Sequence, residues 1–398
     1  MALPSVVMHP APTARKHWTL AFLDRTIHVL RITDIATYSY YFADLRTNAI
    51  LAELPLTRVN FDSQLNAIGG FKGSLPLGDA GVLKLDPIGS TQTERTAIYV
   101  DRDGTIVWGG ILWTRVYNSS THALDLGGSE FLSYFQRRNV NAVFDANNID
   151  QMDLARQVAT YVASVTGGDI GITASSGTSP QMRTLHYDPW DLKNAYSILS
   201  ETSALEFGYD FAVDVQYVAG VPTKTLTLSY PRRGRNWLAT GHLFEYPGNI
   251  QSYVWTEDGT QGANKVYVTG SGSGPNQLIS TAADTSLIDA GYPLLEAVIP
   301  SKSIDNQYYL DSQARAHLTA LANPVVIPEI TVRGDLDPIF GSYSVGDDGR
   351  IRITDERFPA PVAGGAGIDT YRRIIGQNVT PGEGGIPEVI VLPLGNPV

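Results

Sequence analysis

A chain of 398 residues that is 43% hydrophobic can bury sizeable cores, so it is not a disordered one; its length suits roughly two to four domains. Its formal net charge of −11 argues against a general nucleic-acid binder, because phosphate binding is driven by Lys and Arg displacing counterions. The absence of cysteine removes disulfides, thiolate metal sites and Cys nucleophiles, and no run of about 18 apolar residues marks a membrane span.

Plentiful Gly, Pro and Tyr among short Val/Ile/Leu/Thr runs favour β-rich structure. Residues 1–18 read as a Pro-containing arm that becomes ordered on a neighbour, with no apolar core and cleavage site of a signal peptide. From about Thr19 to Gly128 the signals are short and strand-like: "WTLAFLD", "IHVLRIT", "ILAELPL", and then "FDSQLNAIGGFKGSLPLGD" with a break at Gly69-Gly70.

The stretch "YVDRDGTIVWGGILWTRVY", Tyr99 to Tyr117, predicts a hairpin with a two-residue turn at Asp103-Gly104. That register sets Val100 opposite Val107 and Tyr99 opposite Trp108, giving large apolar groups on both faces. Both faces are therefore expected to be covered, one by the domain's own core and one by another surface. Gly109-Gly110 predicts a sharp bend or bulge before "ILWTRVY" continues through Trp113. After an "NSST" turn, "HALDL" returns, completing a meander able to close into a small barrel.

Between Glu130 and Pro247 the character becomes α+β. Asp150 is placed to cap a helix over about 151–166, with Ala155, Val158, Val162 and Val165 on one face and Gly167-Gly168 as its stop. A second helix is predicted near 192–204, followed by a strand pair, "EFGYDFAVDVQYV" and "KTLTLSYP". Strand signals resume at "NIQSYVWTED", "NKVYVTGSGSG" and "YPLLEAVIPS"; a helix is expected near 305–321, and then come "PEITVRGD", "YSVGDDGRIRITDE", "TYRRIIGQNVT" and "PEVIVLPL". The tail thus repeats the first half: "IVWGGILWTRVY…HALDL" parallels "YRRIIGQNVT…PEVIVLPL", bringing Trp113 and Ile375 to comparable places. Asp103, Gly104, Trp108, Gly109, Gly110 and Trp113 in the first module, with Gly346, Tyr371 and Gly376 in the second, are the expected structural and assembly positions.

Catalytic motifs are missing: there is no G-x-S-x-G elbow, H-E-x-x-H pair or G-x-x-x-x-G-K-[ST] loop. "GSGSGP" is read as a flexible loop because no helix pattern follows it. The histidines are scattered. His186 in "LHYDPWD" is the most site-like, yet a turn into a helix with aromatic packing is the simpler reading. "VGDDGR" lacks the later ligands of a calcium loop and reads as a turn. Arg137-Arg138, Arg232-Arg233-Gly234-Arg235 and Arg372-Arg373 read as solvated or ion-paired surface, and Trp108, Trp113 and Trp255 as core. No catalytic residue, cofactor or metal is expected.

"YFADLRTNAILAELPLTRVNFDSQLNAIGGFKGSLPLGD", "RTAIYVDRDGTIVWGGILWTR", "LGGSEFLSYFQRR" and "VGDDGRIRITDERFP…YRRIIGQNVTP" resemble the minor tail proteins of long-tailed actinobacterial phages and, more broadly, the tail (baseplate) hub family. The resemblance runs from about Tyr41 onward. It implies a β-rich α+β chain with two related small β-barrels: an arm over 1–18, a first barrel over 19–129, an α+β insertion over 130–247, a second barrel split between 248–300 and 327–398, and a helical insertion over 301–326. It further implies a homotrimer whose six barrels form a pseudo-hexagonal ring. The hairpin's second face would then meet a neighbouring subunit. The implied partners are the distal tail protein, the tail tube, the tape measure protein and other tail-tip proteins, with DNA passing through the channel without specific binding. The implied location is the virion tail tip, after assembly in the host cytoplasm. Two alternatives remain open: a tail-associated cell-wall hydrolase (glycosidase or peptidase) housed in 130–247, or a host-surface carbohydrate-binding tail protein.

Overall fold

The computed structural model describes residues 35–256, 259–260, 262–302, 304–322 and 329–396. The N-terminal arm and the strands expected at "WTLAFLD" and "IHVLRIT" lie outside them.

The first part of the chain is built from strands β1 (Tyr38–Asp44), β2 (Ile50–Glu53), β3 (Thr57–Gln64) and β4 (Gly70–Pro76). The one-turn helices α1 (Ala80–Leu83) and α2 (Pro87–Ser90) follow, and then strands β5 (Thr96–Arg102), β6 (Thr105–Asn118) and β7 (Ala123–Glu130). The turn between β5 and β6 is the expected one: Arg102 pairs with Thr105, and both Asp103 (φ 53°) and Gly104 (φ 84°) are left-handed, as a type I′ turn requires. The register beyond it differs from expectation. Val100 pairs with Trp108 and Tyr99 with Gly109, because Val107 bulges out of the ladder.

Strand β6 also runs unbroken through Gly109-Gly110, and its bulge falls at Val107 instead of at the glycines. Their reason is crowding. A Cβ on Gly109 would lie 2.9 Å from Val215 Cγ1, and one on Gly110 would lie 2.3 Å from the Ser129 carbonyl oxygen and 2.4 Å from the Trp108 ring. The second irregularity of β6 falls at Trp113, between Leu112 and Thr114.

The middle segment contains α3 (Ser133–Gln136), β8 (Asn139–Val140), β9 (Phe144–Asp150), α4 (Gln151–Ser164), β10 (Ile172–Ala174), β11 (Met182–Tyr187), β12 (Lys193–Asn194), α5 (Ala195–Ser203), β13 (Asp210–Val218) and β14 (Val221–Ser229). Asp150 caps α4 by accepting from Met152 N at 2.7 Å, and the same carboxylate accepts from Ser179 N at 2.6 Å. Ala155, Val158 and Val162 face the core, while Val165 lies just past the helix end and is exposed.

This segment is what covers the second face of the hairpin. Alternation along β5 sends Ile98 and Val100 into one core with Phe42, Phe61, Trp108 and Leu112. Ala97 and Tyr99 point the other way, into a second core with Phe131, Phe135, Leu154, Phe211 and Val213. Both faces are covered within one chain, so the expectation that the second face meets a neighbouring subunit is corrected. The pattern told of burial on two sides but not whose atoms supply it.

The last part comprises β15 (Leu243–Tyr246), β16 (Ile250–Val254), β17 (Lys265–Thr269), β18 (Ile279–Ala283), α6 (Thr285–Asp289), β19 (Glu296–Pro300), α7 (Gln307–Ala322), β20 (Glu329–Arg333), β21 (Asp348–Ile353), β22 (Ile368–Ile374), β23 (Gly376–Thr380) and β24 (Val389–Gly395). Residues 248–300 divide between two sheets. Strand β16 pairs with β20, whereas β17, β18 and β19 form a three-stranded sheet of their own. That small sheet packs under α7 around Val266, Val268, Ala282, Leu310 and Ala314. It docks on the middle segment through Ser312 Oγ, which accepts from Glu206 N at 2.7 Å, and the Arg315–Glu206 ion pair at 2.6 Å.

Among the described residues, the strands of the first and last parts other than β17, β18 and β19 form one fourteen-stranded sheet rather than two separate ones; its path ends at β2 and β15 without closing. Within it a strand order repeats. The first part runs β3–β4–β7–β6–β5, antiparallel throughout. The last part runs β16–β20–β24–β22/β23–β21, also antiparallel throughout. The irregularities repeat as well. The β3–β4 ladder slips between Thr57 and Asn60, and β16–β20 slips between Ile250 and Ser252. The β6–β7 ladder slips at Trp113, and the ladder to β24 slips by one residue across Ile375, which separates β22 from β23.

Candidate functional site

The two repeats are joined where β3 pairs antiparallel with β23: Phe61 with Val379, Asp62 with Asn378, Ser63 with Gln377 and Gln64 with Gly376. Phe61 and Val379 are both 0% exposed. The Asn60 side-chain amide donates to Asn378 Oδ1 at 2.6 Å and to the Val379 carbonyl at 3.2 Å, and Leu65 N donates to the Ile375 carbonyl at 2.8 Å. Gly376 suits this join because a Cβ there would sit 3.2 Å from the Ser63 carbonyl oxygen and 3.3 Å from the Pro393 ring. Trp108 supports β3 from behind: its indole N–H donates to the Asp62 carbonyl at 3.0 Å, and its ring meets Phe71 at 5.3 Å.

Two groups of charges, buried except at Arg235 and Asp214, clamp the join. In the first, Glu388, beside β24, takes a forked contact from Arg102 at the end of β5, with Nη2 to Oε1 at 2.6 Å, and also accepts from the Tyr38 hydroxyl. Burial, and then the adjacent Glu388 charge, push the Tyr38 phenol far above its usual range.

The second group surrounds the segment 232–235. Arg232 is bidentate to Asp348 (2.7 and 3.0 Å), Arg233 to Asp214 (2.6 and 2.9 Å), and Arg235 Nη2 meets Asp347 at 2.6 Å. Arg373 on β22 donates to Asp210 on β13 and, at 2.8 Å, to the Arg233 carbonyl. Although burial opposes ionisation, the Arg233 and Arg235 partners hold the Asp214 and Asp347 carboxyls below the usual carboxylate range. Glycine is needed where backbones cross: a Cβ on Gly234 would lie 2.2 Å from the Gly346 carbonyl carbon, and Gly346 itself has φ 105°. The Arg-rich segment is therefore ion-paired as expected, but the side chains of Arg232 and Arg373 are inside rather than on the surface.

Between the two groups lies a cleft of about 260 Å³ whose lining includes Gln64, Trp108, Gly109, Glu130, Arg233 and Gln377. Glu130 accepts from Ser63 Oγ at 2.6 Å and Gly69 N at 2.8 Å. Desolvation nevertheless pushes its carboxyl up to about 7 from the ordinary 4.5. Since the folded value is the higher one, folding takes up a proton between those two pH values. The associated stability is full below the lower value and is lost as pH rises through the upper. Glu130→Gln should therefore raise stability at pH 8, relative to its effect at pH 4, by on the order of 3 kcal/mol. Urea denaturation at both pH values checks this, and an equal effect at both would contradict it.

Of the positions expected from sequence, Trp108 and Gly109 line the cleft and Gly376 lies in the join. Gly346 belongs to the arginine group, and Tyr371 packs on Trp237 at 5.1 Å nearby. Gly110 packs on Ser129. Asp103 and Gly104 form the hairpin tip, where the Asp103 carboxylate accepts from Thr37 N at 2.8 Å. Trp113 lies apart, donating to Ser133 Oγ at 2.9 Å under the Arg137 guanidinium. His186 stands exposed between Asp145 and Asp188 at 3.7 and 3.6 Å. Glu130, Asp210 and Glu388 were not singled out from sequence, since nothing local distinguishes a carboxylate whose side-chain partner lies more than sixty residues away. No cluster of three or more His, Cys, Asp or Glu side chains fit to hold a metal occurs among the described residues.

No protein-family model and no curated protein matches this sequence. Solved structures do match in fold. A tail protein from Neisseria meningitidis MC58 is 15% identical over 90% of this chain and 96% of its own, with a TM-score of 0.56. The 43 kDa tail protein of prophage MuSo2 from Shewanella oneidensis is 13% identical over 90% and 98%, with a TM-score of 0.57. A prophage tail protein from Listeria monocytogenes EGD-e is 12% identical over 90% and 95%, with a TM-score of 0.51. Across nine-tenths of its length, this chain has the β-rich fold of these tail proteins.

Proposed function

We propose that the chain is a structural hub of a phage tail tip, a homotrimer whose three copies supply six related sheets around the axis. In this reading the first repeat and the second repeat correspond to the two small barrels of the hub family. The observation that carries it is the recurrence of one strand order, with its slips at Trp113 and Ile375. A chain that folds two like units lets threefold packing present six like surfaces to a hexameric tube. The fold likeness to three tail proteins supports the same setting. The partners would be the tail tube, the distal tail ring, the tape measure protein and other tail-tip proteins. The acidic balance suits a channel that DNA must leave freely during ejection. No residue is assigned catalysis.

The test is a count of copies. The assembled protein should have about three times the mass of one 43.2 kDa chain, and images of tails should show three copies at the tip. A stable dimer, or a tip without threefold order, would overturn the proposal. The carbohydrate-binding reading has one observation in its favour, since Trp190 in the middle segment is 76% exposed. Saturable binding of the isolated chain to host cells would favour it.

A further inference from the structure

The repeat makes a second, missing contact visible. Within the chain, the β3 edge of the first repeat pairs with β23 of the second. The repeat-related strands are β16, which stands where β3 does, and the end of β6 beyond Trp113, which stands where β23 does. Among the described residues neither has a paired strand on that side, although the Arg115 guanidinium of β6 donates to the Ile88 carbonyl at 2.8 Å. Beyond Leu112, whose carbonyl accepts from Glu94 N, no backbone hydrogen bond among the described residues reaches the side of β6 away from β7. Among the described residues strand β16 pairs only with β20, and Trp255 just beyond it packs one face on Arg357 at 4.1 Å and meets Phe358 edge-on at 6.3 Å.

The register can be carried across. Counting from Trp113 and Ile375, Tyr117 corresponds to Val379 and Val116 to Asn378. Asn60 pairs with Lys72, which pairs with Gly127; in the second repeat the same row is Val254, Glu329 and Pro393. Trp255 therefore corresponds to Phe61, and Thr256 to Asp62. The Phe61–Val379 pair is wholly buried, yet its counterparts Trp255 and Tyr117 are 37% and 52% exposed, and their neighbours Val254 and Val116 are 47% and 60% exposed. An open strand edge carrying exposed apolar groups is a template for pairing.

We propose that the end of β6 in one chain pairs antiparallel with β16 of a second copy, Tyr117 opposite Trp255 and Val116 opposite Thr256. The contact repeats in trans the join that β3 and β23 make in cis. It uses unlike surfaces on the two copies, so it propagates head to tail and forms a ring where the rotation between copies closes. Closure at three copies rests on the hub assembly proposed above; the edge contact itself rests on the repeat.

The chain has no cysteine, so paired cysteines give a clean readout. Opposed residues in an antiparallel pair have Cα atoms about 4.5–5.5 Å apart, within disulfide reach. Under mild oxidation of purified protein and of tails carrying the variants, Tyr117→Cys with Trp255→Cys should give intermolecular disulfides. Each single variant should give none. Val116→Cys with Trp255→Cys should cross-link at least tenfold less, because adjacent strand residues face opposite sides. Val116→Cys with Thr256→Cys provides a second in-register pair should loss of Trp255 disturb folding. A cross-linked series ending at three chains supports both proposals. A series ending at another number keeps the edge contact and overturns the trimer. A trimer by mass with no disulfide in either pair overturns the edge contact and keeps the trimer. A chain that stays monomeric without cross-links overturns both.

Discussion

Arg373→Leu should lower the stability of the protein by about 3–5 kcal/mol, because it breaks a buried ion pair on one side only. The side chains of Arg373 and Asp210 are 6% and 11% exposed. Asp210 would keep the Asn66 amide at 2.8 Å and the Arg233 N–H at 2.7 Å but lose its guanidinium partner, and the Gly346 carbonyl would lose its contact with Arg373 Nε at 3.2 Å. The uncompensated carboxylate, rather than the lost attraction, dominates the cost. Arg373→Leu combined with Asp210→Leu should therefore be less destabilised than the sum of the two single variants. Denaturant unfolding of the four proteins measures this, and a single-variant loss below about 1 kcal/mol would mean that the pair is well solvated.

Trp108→Ala should cost a similar amount, about 3–5 kcal/mol. The ring is 2% exposed and lies between Phe61 and Phe71, with centroids at 6.5 and 5.3 Å. The neighbouring Gly110 leaves it room that a Cβ would take away, and the surrounding backbone cannot easily collapse into the space left behind. Trp108→Phe keeps most of the volume but abandons the Asp62 carbonyl, so it should cost about 1–2 kcal/mol. Chemical denaturation of the two variants separates packing from hydrogen bonding. Equal losses would show that the indole N–H matters more than the ring.

What the sequence revealed follows the range of the forces involved. The turn at Asp103-Gly104 and the Asp150 cap are set by nearby residues and each lies where it was expected, whereas α4 ends at Ser164, with Val165 already extended before the expected glycine stop. The hairpin register was missed because a bulge at Val107 leaves no mark in an alternating apolar pattern. Gly109-Gly110 looked like a strand breaker because paired glycines usually are. Here Val215, Ser129 and the Trp108 ring require them, and two of those three belong to other strands. Alternation in "KVYVT" announces a strand but not which sheet it joins; α7 settles that by covering the small sheet. The short arginine runs resembled surface charge because their carboxylates lie far along the chain, as with Arg232 and Asp348, 116 residues apart.

The join between β3 and β23 has a consequence for how the protein is made. Asn60 and Asn378 meet across 318 residues of chain. At about 5–20 residues per second on the ribosome, the β3 edge waits roughly 15–60 s for its partner to be synthesised. During that interval an apolar strand edge stands open beside other nascent copies, each with the same edge. Folding yield should therefore fall with expression rate sooner than the stability of the finished protein would suggest, and slowed translation or a chaperone bound over residues 57–64 should restore it.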